Sequence, residues 1–228
     1  MKLMLFDIDG TLIRTAGAGK YAMEKAFQEV YGFPDGLHRI SMMGRTDPSI
    51  LREAMCNHGL VWNENKADAF RHAYYRIIET EIHVPRNGKH VCAGIIPLLK
   101  ALSERKDIAL GLLTGNWKRS AYVKLAYFKI DTFFPFGAFA DDSEMRPDLV
   151  PVAIRRFEER AHTQIPPDQV YIIGDTPLDI DCGRQHHTRT IAVATGFHTY
   201  RDLAAHKPDF IFESFADTDN VLTRLLPP

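Results

Sequence analysis

Two kinds of periodicity divide this chain, and their order constrains its fold more than any single residue does. From about residue 90 onward, short apolar runs alternate with amphipathic segments. Ile95–Leu102, Trp117–Phe128 and Leu149–Arg160 read as helices, whereas Ile108–Leu113 and Val170–Ile173 read as buried strands. Thr190–Ala194 and Phe210–Phe212 are two further short strands, Phe133–Phe139 is apolar but irregular, and a last helix ends near Leu226. Alternation at these lengths implies a parallel sheet covered on both faces. Between about 16 and 84 no strand pattern appears. Segments 18–31, 47–58 and 64–81 instead carry apolar residues at three- and four-residue spacing. Ala22, Ala26, Phe27 and Val30 form one helical face, and Ala69, Ala73, Ile77 and Ile78 contribute to another. Thr46 or Asp47 caps the second of these helices, with Pro48 in its first turn. Thr15 to Lys20 and Val84 to Gly88 are rich in small residues or turn formers and read as hinges. The expected layout is an α/β domain of residues 1–15 and 87–228 interrupted by an all-helical unit, residues 16–86.

The first strand carries the chemistry. Leu3-Met4-Leu5-Phe6 runs into Asp7-Ile8-Asp9-Gly10, so two acids and a turn glycine stand at its carboxyl end. In an open α/β sheet ligands bind at that edge, which makes this a candidate site for a metal ion and an anion. Val170 to Ile173 likewise ends in Gly174-Asp175, with Asp179 four residues on. Thr114-Gly115-Asn116 closes the strand 108–113, where a hydroxyl and backbone N–H groups can bind phosphate oxygens.

Composition sets outer bounds. The 228 residues suffice for a full core, and a net charge of −1 with interspersed signs points to neither nucleic acid nor an anionic membrane. No apolar run spans a bilayer and no signal-peptide pattern is present. Cys56, Cys92 and Cys182 are odd in number and unclustered, so a disulfide framework or zinc site is not expected, and a reducing, cytoplasmic setting is.

Asp7-Ile8-Asp9-Gly10-Thr11-Leu12 resembles the first signature of the haloacid dehalogenase (HAD) superfamily, and Gly174-Asp175-Thr176 through Asp179 resembles its fourth. The likeness covers essentially the whole chain and is nearest to the phosphoglycolate phosphatase and β-phosphoglucomutase branch. It implies a Rossmann-like parallel sheet with an inserted α-helical cap. It also implies a Mg2+-dependent phosphatase acting on a small phosphate monoester through an aspartyl phosphate. On that resemblance Asp7 is the nucleophile and Asp9 the general acid and base. Thr114 binds the phosphoryl group with Gly115 and Asn116, and Asp7, the Asp9 carbonyl, Asp175 and Asp179 hold Mg2+. The third signature normally has a lysine, and here Arg146-Pro147 stands in its place. Arginine stays charged and offers a planar fork for phosphate oxygens, though it is bulkier than an ammonium; a surface arginine is the alternative.

Converging carboxylates repel unless a cation pairs with them or protons are taken up, and a hard divalent ion with oxygen ligands meets that need. Asp9 separates this chain from the family's dehalogenases, which lack an acid there, and Lys20 alone does not argue for an imine-forming phosphonatase. Met43-Gly44-Arg45-Thr46-Asp47 reads as a lid loop, with Arg45 either touching substrate or solvated. Asp181 reads as a helix-surface acid and His198 as a structural or surface histidine. Two other readings stay open: a sugar-phosphate mutase, and a non-catalytic phosphoacceptor module, against which Asp9 and the helical insertion argue.

Overall fold

Lys2–Phe6 forms β1, and its alternation decides the layers. Leu3 and Leu5 point to one face of the sheet, Met4 and Phe6 to the other, as the two-residue repeat of a strand requires. The computed structural model describes residues 1–226. Its main sheet is six-stranded and parallel, in the order β5-β4-β1-β6-β7-β8. The remaining strands are β4 (Ile108–Leu113), β5 (Gly137–Ala138), β6 (Val170–Gly174), β7 (Arg189–Val193) and β8 (Phe210–Phe212). β1 lies centrally, with Phe6 level with Leu112 of β4 and Ile173 of β6.

Helices cover both faces. Leu98, Leu99 and Leu102 of α4 (Ile95–Ser103), Ala121 and Leu125 of α5 (Lys118–Tyr127) and Val221 and Leu225 of α9 (Thr218–Leu225) pack with Met4 and Phe6. On the opposite face α6 (Leu149–Ala161) brings Leu149, Ala153 and Phe157 against Leu3 and Leu5. Fully burying one such Leu or Phe contributes about 1.5–3 kcal/mol, so β1 is held from both sides.

The inserted cap consists of α1 (Ala18–Tyr31), α2 (Asp47–Asn57) and α3 (Glu64–Glu81). Thr46 caps α2, its hydroxyl accepting from the Ser49 N–H, and Asp47 is the first helical residue. Ala22, Ala26 and Phe27 are buried as their spacing predicts. On α3, Ala73 and Ile78 are buried and Ile77 packs against the same cluster as expected, whereas Ala69 is exposed and Ala67, Phe70 and Tyr74 face inward. The aromatic rings set the rotation, because Phe70 and Tyr74 bury far more surface than an alanine. Trp117 of the core completes the cap cluster, its ring 6.1 Å from that of Phe70. Where the chain enters and leaves the cap, β2 (Ile13–Arg14) pairs antiparallel with β3 (His90–Val91). Among the described residues no helix is long and apolar enough to cross a membrane.

Candidate active site

The strand order brings distant acids to one edge. Asp7 follows β1 and Asp175 follows β6, and the Asp7 N–H donates to the Ile173 carbonyl at 2.9 Å, continuing the ladder. Carboxylate oxygens of Asp7, Asp175 and Asp179 all lie within 4.8 Å of one another, and all three residues are buried. Burial, opposed by Arg146 and reinforced by Asp179 and Asp9, pushes the Asp7 carboxyl up to about 6. Burial and the charges of Asp7 and Asp179 raise Asp175 well above the ordinary carboxylate range. These are the marks of a site short of positive charge. Gly10 turns the chain away at φ +92°, and a Cβ there would lie 2.4 Å from Asp175 Oδ2, so only glycine fits. Thr11 donates to Asp175 Oδ1 at 3.2 Å.

Arg146 lies inside the site and not on the surface. It opens a short 3-10 turn with Pro147 and is buried. Its guanidinium reaches Asp7 Oδ1 at 3.0 Å and pairs with Asp179 Oδ1, while its Nε is buried without a partner. The other Asp179 oxygen caps α7 (Pro177–Gln185), accepting from the Thr176 N–H at 3.1 Å and from its hydroxyl at 2.6 Å. Asp179 thus belongs to the acid cluster, but both its oxygens have protein partners. Asp7 and Asp175 remain the side chains freer to face a metal.

Asp9 points elsewhere. Its carboxylate, about two-fifths exposed, accepts from Lys124 Nζ at 2.7 Å and Asn116 Nδ2 at 2.9 Å. Lys124 also reaches Asn116 Oδ1 at 2.6 Å. The Thr114 hydroxyl accepts from Asn116 N–H and Nδ2, leaving its own proton for a ligand oxygen. Lys124 is the residue that sequence reasoning missed. It is 4% exposed and lies between Ala121 and Leu125 on the inward face of α5. A lysine interrupting an apolar helix face is the signal that points to it.

The cap closes over this edge through specific contacts. The Asp47 N–H donates to the Gly115 carbonyl at 2.7 Å, and Asp47 Oδ2 accepts from the Trp117 N–H at 2.8 Å. Burial, partly offset by Lys124, raises the Asp47 carboxyl to about 7. The Thr46 hydroxyl donates to the Glu144 carbonyl at 2.6 Å, and Arg52 Nε donates to the Glu144 carboxylate at 2.8 Å. A Cβ on Gly115 would fall 2.0 Å from the Arg45 carbonyl, so this approach needs glycine. Arg45 lines the cavity, but its guanidinium is bound to Glu53 and to the Ser41 and Ser49 carbonyls. Cap and core together enclose a cavity of about 540 Å3 bordered by Asp7, Asp9, Thr114, Asn116, Arg146 and Asp175. Lys20 lines it from the exposed side with Glu24 at 3.7 Å. His198 does not line it, whereas its neighbour Phe197 does. Asp181 is on a helix surface, 3.4 Å from Arg184.

Comparison with known proteins agrees with this geometry. The chain is 23% identical to the pyrophosphatase PpaX of Oceanobacillus iheyensis, covering 95% of this chain and 94% of that protein. It is 24% identical to a phosphoglycolate phosphatase of Pseudomonas syringae pv. tomato, covering 99% of this chain and 79% of the relative. The fold superposes on the crystal structure of a hydrolase from Pseudomonas syringae with a TM-score of 0.74 at 19% identity, covering 99% of each chain. The sequence pattern of the haloacid dehalogenase-like hydrolases matches residues 4–193, and with the acids of β1 and β6 at one sheet edge beneath a helical cap, the chain belongs to that family of hydrolases.

Proposed function

We propose that this enzyme hydrolyses a small-molecule phosphate monoester through a phosphoaspartate on Asp7. The carrying observation is that Asp7 and Asp9, two residues apart, have different surroundings. Asp7 is buried against Arg146, and Asp9 faces the cavity with Lys124 and Asn116. Such a difference is how two like carboxylates take different roles. Asp7 attacks phosphorus as the bond to the leaving oxygen breaks. Asp9 gives that oxygen its proton, then takes one from the water that attacks the phosphoaspartate and frees inorganic phosphate. Thr114, Gly115, Asn116 and Arg146 bind the phosphoryl oxygens, Arg146 in the part usually held by lysine. The relatives named for phosphoglycolate and for pyrophosphate hydrolysis support a phosphate substrate.

The residues also fit a divalent ion. With Asp9 paired to Lys124, the converging carboxylates of Asp7, Asp175 and Asp179 have Arg146 as their one cation and are left with two uncompensated negative charges. One Mg2+ would match that deficit, and Asp7, Asp175 and the Asp9 carbonyl would hold it, with Asp179 in support. The ion supplies positive charge that draws the phosphoryl oxygens towards Asp7 and offsets their charge. We place the cap at residues 16–86 and the core at 1–15 and 87–228, the two connections acting as hinges, in a cytoplasmic enzyme.

The test is a metal-supplemented panel of phosphate esters. We expect phosphate release over many turnovers, abolished by chelation and by Asp175→Asn and, after chelation, restored by Mg2+. Formation of an isomer from a sugar phosphate without phosphate release would establish the mutase reading instead. A single turnover that stops at the phosphoprotein would establish the phosphoacceptor reading.

A further inference from the structure

The phosphoryl site fills only one end of the cavity. Its volume of about 540 Å3 is of the size that encloses a drug-sized ligand, more than a two-carbon acid or a second phosphate occupies. The remaining space is walled by the cap with Met23, Ile40, Met42, Met43, Ile50 and Tyr74. Met23, Ile40, Ile50 and Tyr74 are each no more than 6% exposed, Met42 is half-buried and Met43 is 39% exposed, so the wall is a largely buried apolar surface with one methionine open to water.

The charges of Arg45, Asp47 and Lys124 around this chamber are already committed. The Arg45 guanidinium is bound to Glu53, the Ser41 carbonyl at 3.3 Å and the Ser49 carbonyl at 3.0 Å. Asp47 holds the Trp117 N–H, and Lys124 holds Asp9 and Asn116. A second anionic group seated against the cap wall would find Arg45 and Lys124 already paired, which is unfavourable; the cations left on the cavity lining are Arg14 and Lys20. An apolar group gains there, and unbranched methionines adapt to its shape.

Resting on the phosphatase reading, we infer that the leaving group is an uncharged, mainly apolar alcohol, alkyl or aryl, seated against the methionine and isoleucine wall of the cap. The competing recognition element is Arg14. It lines the same cavity and donates to the Thr195 carbonyl at 3.2 Å and the Gly196 carbonyl at 3.4 Å. It lies 5.0 Å over the exposed Phe197 ring and, among the described residues, has no acid partner. A substrate with a distal anion would be read by Arg14 and not by the cap wall.

The experiment measures kcat/KM with Mg2+ for methyl, propyl, pentyl and phenyl phosphate, phosphoglycolate and pyrophosphate. A buried methylene corresponds to roughly a fourfold gain. The alkyl series should therefore climb by about that factor per carbon until the wall is reached, with phosphoglycolate and pyrophosphate below propyl phosphate. Met42→Gln should reduce the pentyl-to-methyl ratio. A flat or falling alkyl series overturns the inference and leaves the phosphatase reading standing. So does a preference for phosphoglycolate that Arg14→Ala removes. Absence of hydrolysis across the whole panel removes the phosphatase reading, and this inference with it.

Discussion

Arg146 shows how much one side chain governs at this site. It stands between Asp7 and Asp179, and its removal leaves both acids buried without a counter-charge. Arg146→Ala should therefore lower stability by about 3–5 kcal/mol, read as a shift in urea midpoint, and should also abolish turnover. Asp7→Asn should abolish turnover with the urea midpoint nearly kept, since an amide is close in shape and a poor nucleophile. Asp9→Asn should cost about 10²–10⁴-fold on alkyl phosphates and less on the phosphorylation step with an activated aryl phosphate. Phosphoenzyme should then accumulate in a rapid-quench experiment; equal losses on both ester types without a trapped intermediate would contradict the role given to Asp9. Asp7, Asp9 and Asp175 were legible because each ends an apolar run at a turn. Lys124 was legible only as a lysine interrupting an apolar helix face; its contact with Asp9 joins residues 115 positions apart, and no local pattern encodes that pairing. Arg146 was legible as a position, yet its ion pair with Asp179 depends on the fold.

At the scale of elements, the N-terminus of α2 is the part of the cap most directly tied to the core. Asp47 there is buried, with its carboxyl raised to about 7 by that burial. The folded state keeps a proton that the unfolded chain has lost between pH 4 and 7. This group's contribution to stability therefore falls as pH rises through that window and is flat above it. Asp47→Asn should accordingly raise the thermal midpoint at pH 8, by an amount equivalent to roughly 2–4 kcal/mol, and the gap should close towards pH 5. A constant difference across that range would show that Asp47 does not titrate there. The helices of the cap could be read almost to the residue because each is long and bounded by a glycine, threonine or asparagine. On α3 the face was read at Ala73, Ile77 and Ile78 but misplaced at Ala69, since counting apolar positions weighs Ala69 and Phe70 alike. β5 escaped notice because a two-residue edge strand, Gly137–Ala138, is too short to show a period.

For the whole molecule, the cap's grip on the core has a mechanical reading. Thr46–Glu144 and Asp47–Trp117 at the start of α2, and Arg52–Glu144 at its middle, tie this helix to the loops that close the site. Glu144→Ala should remove only the exposed Arg52 pair, because Thr46 uses the Glu144 backbone carbonyl. We expect a loss of no more than about 1 kcal/mol, with faster amide exchange at the start of α2 and little change in the sheet. The alternation of strand and helix was legible at this scale, whereas the β2–β3 pairing where the chain enters and leaves the cap was not, since two-residue strands far apart in the chain carry no mutual signal. The central place of β1 has a consequence for synthesis. Its partners are residues 108–112 on one side and 170–173 on the other. A ribosome therefore finishes the strand bearing Asp7 first, and must then translate the entire cap before either neighbour exists. The nascent chain carries the Asp7 carboxylate long before it has a pocket, and an apolar strand stays unpaired meanwhile. Such delayed pairing slows folding and exposes the chain to aggregation, so the cap helices, which need only local contacts, are the segment that can fold while β1 waits.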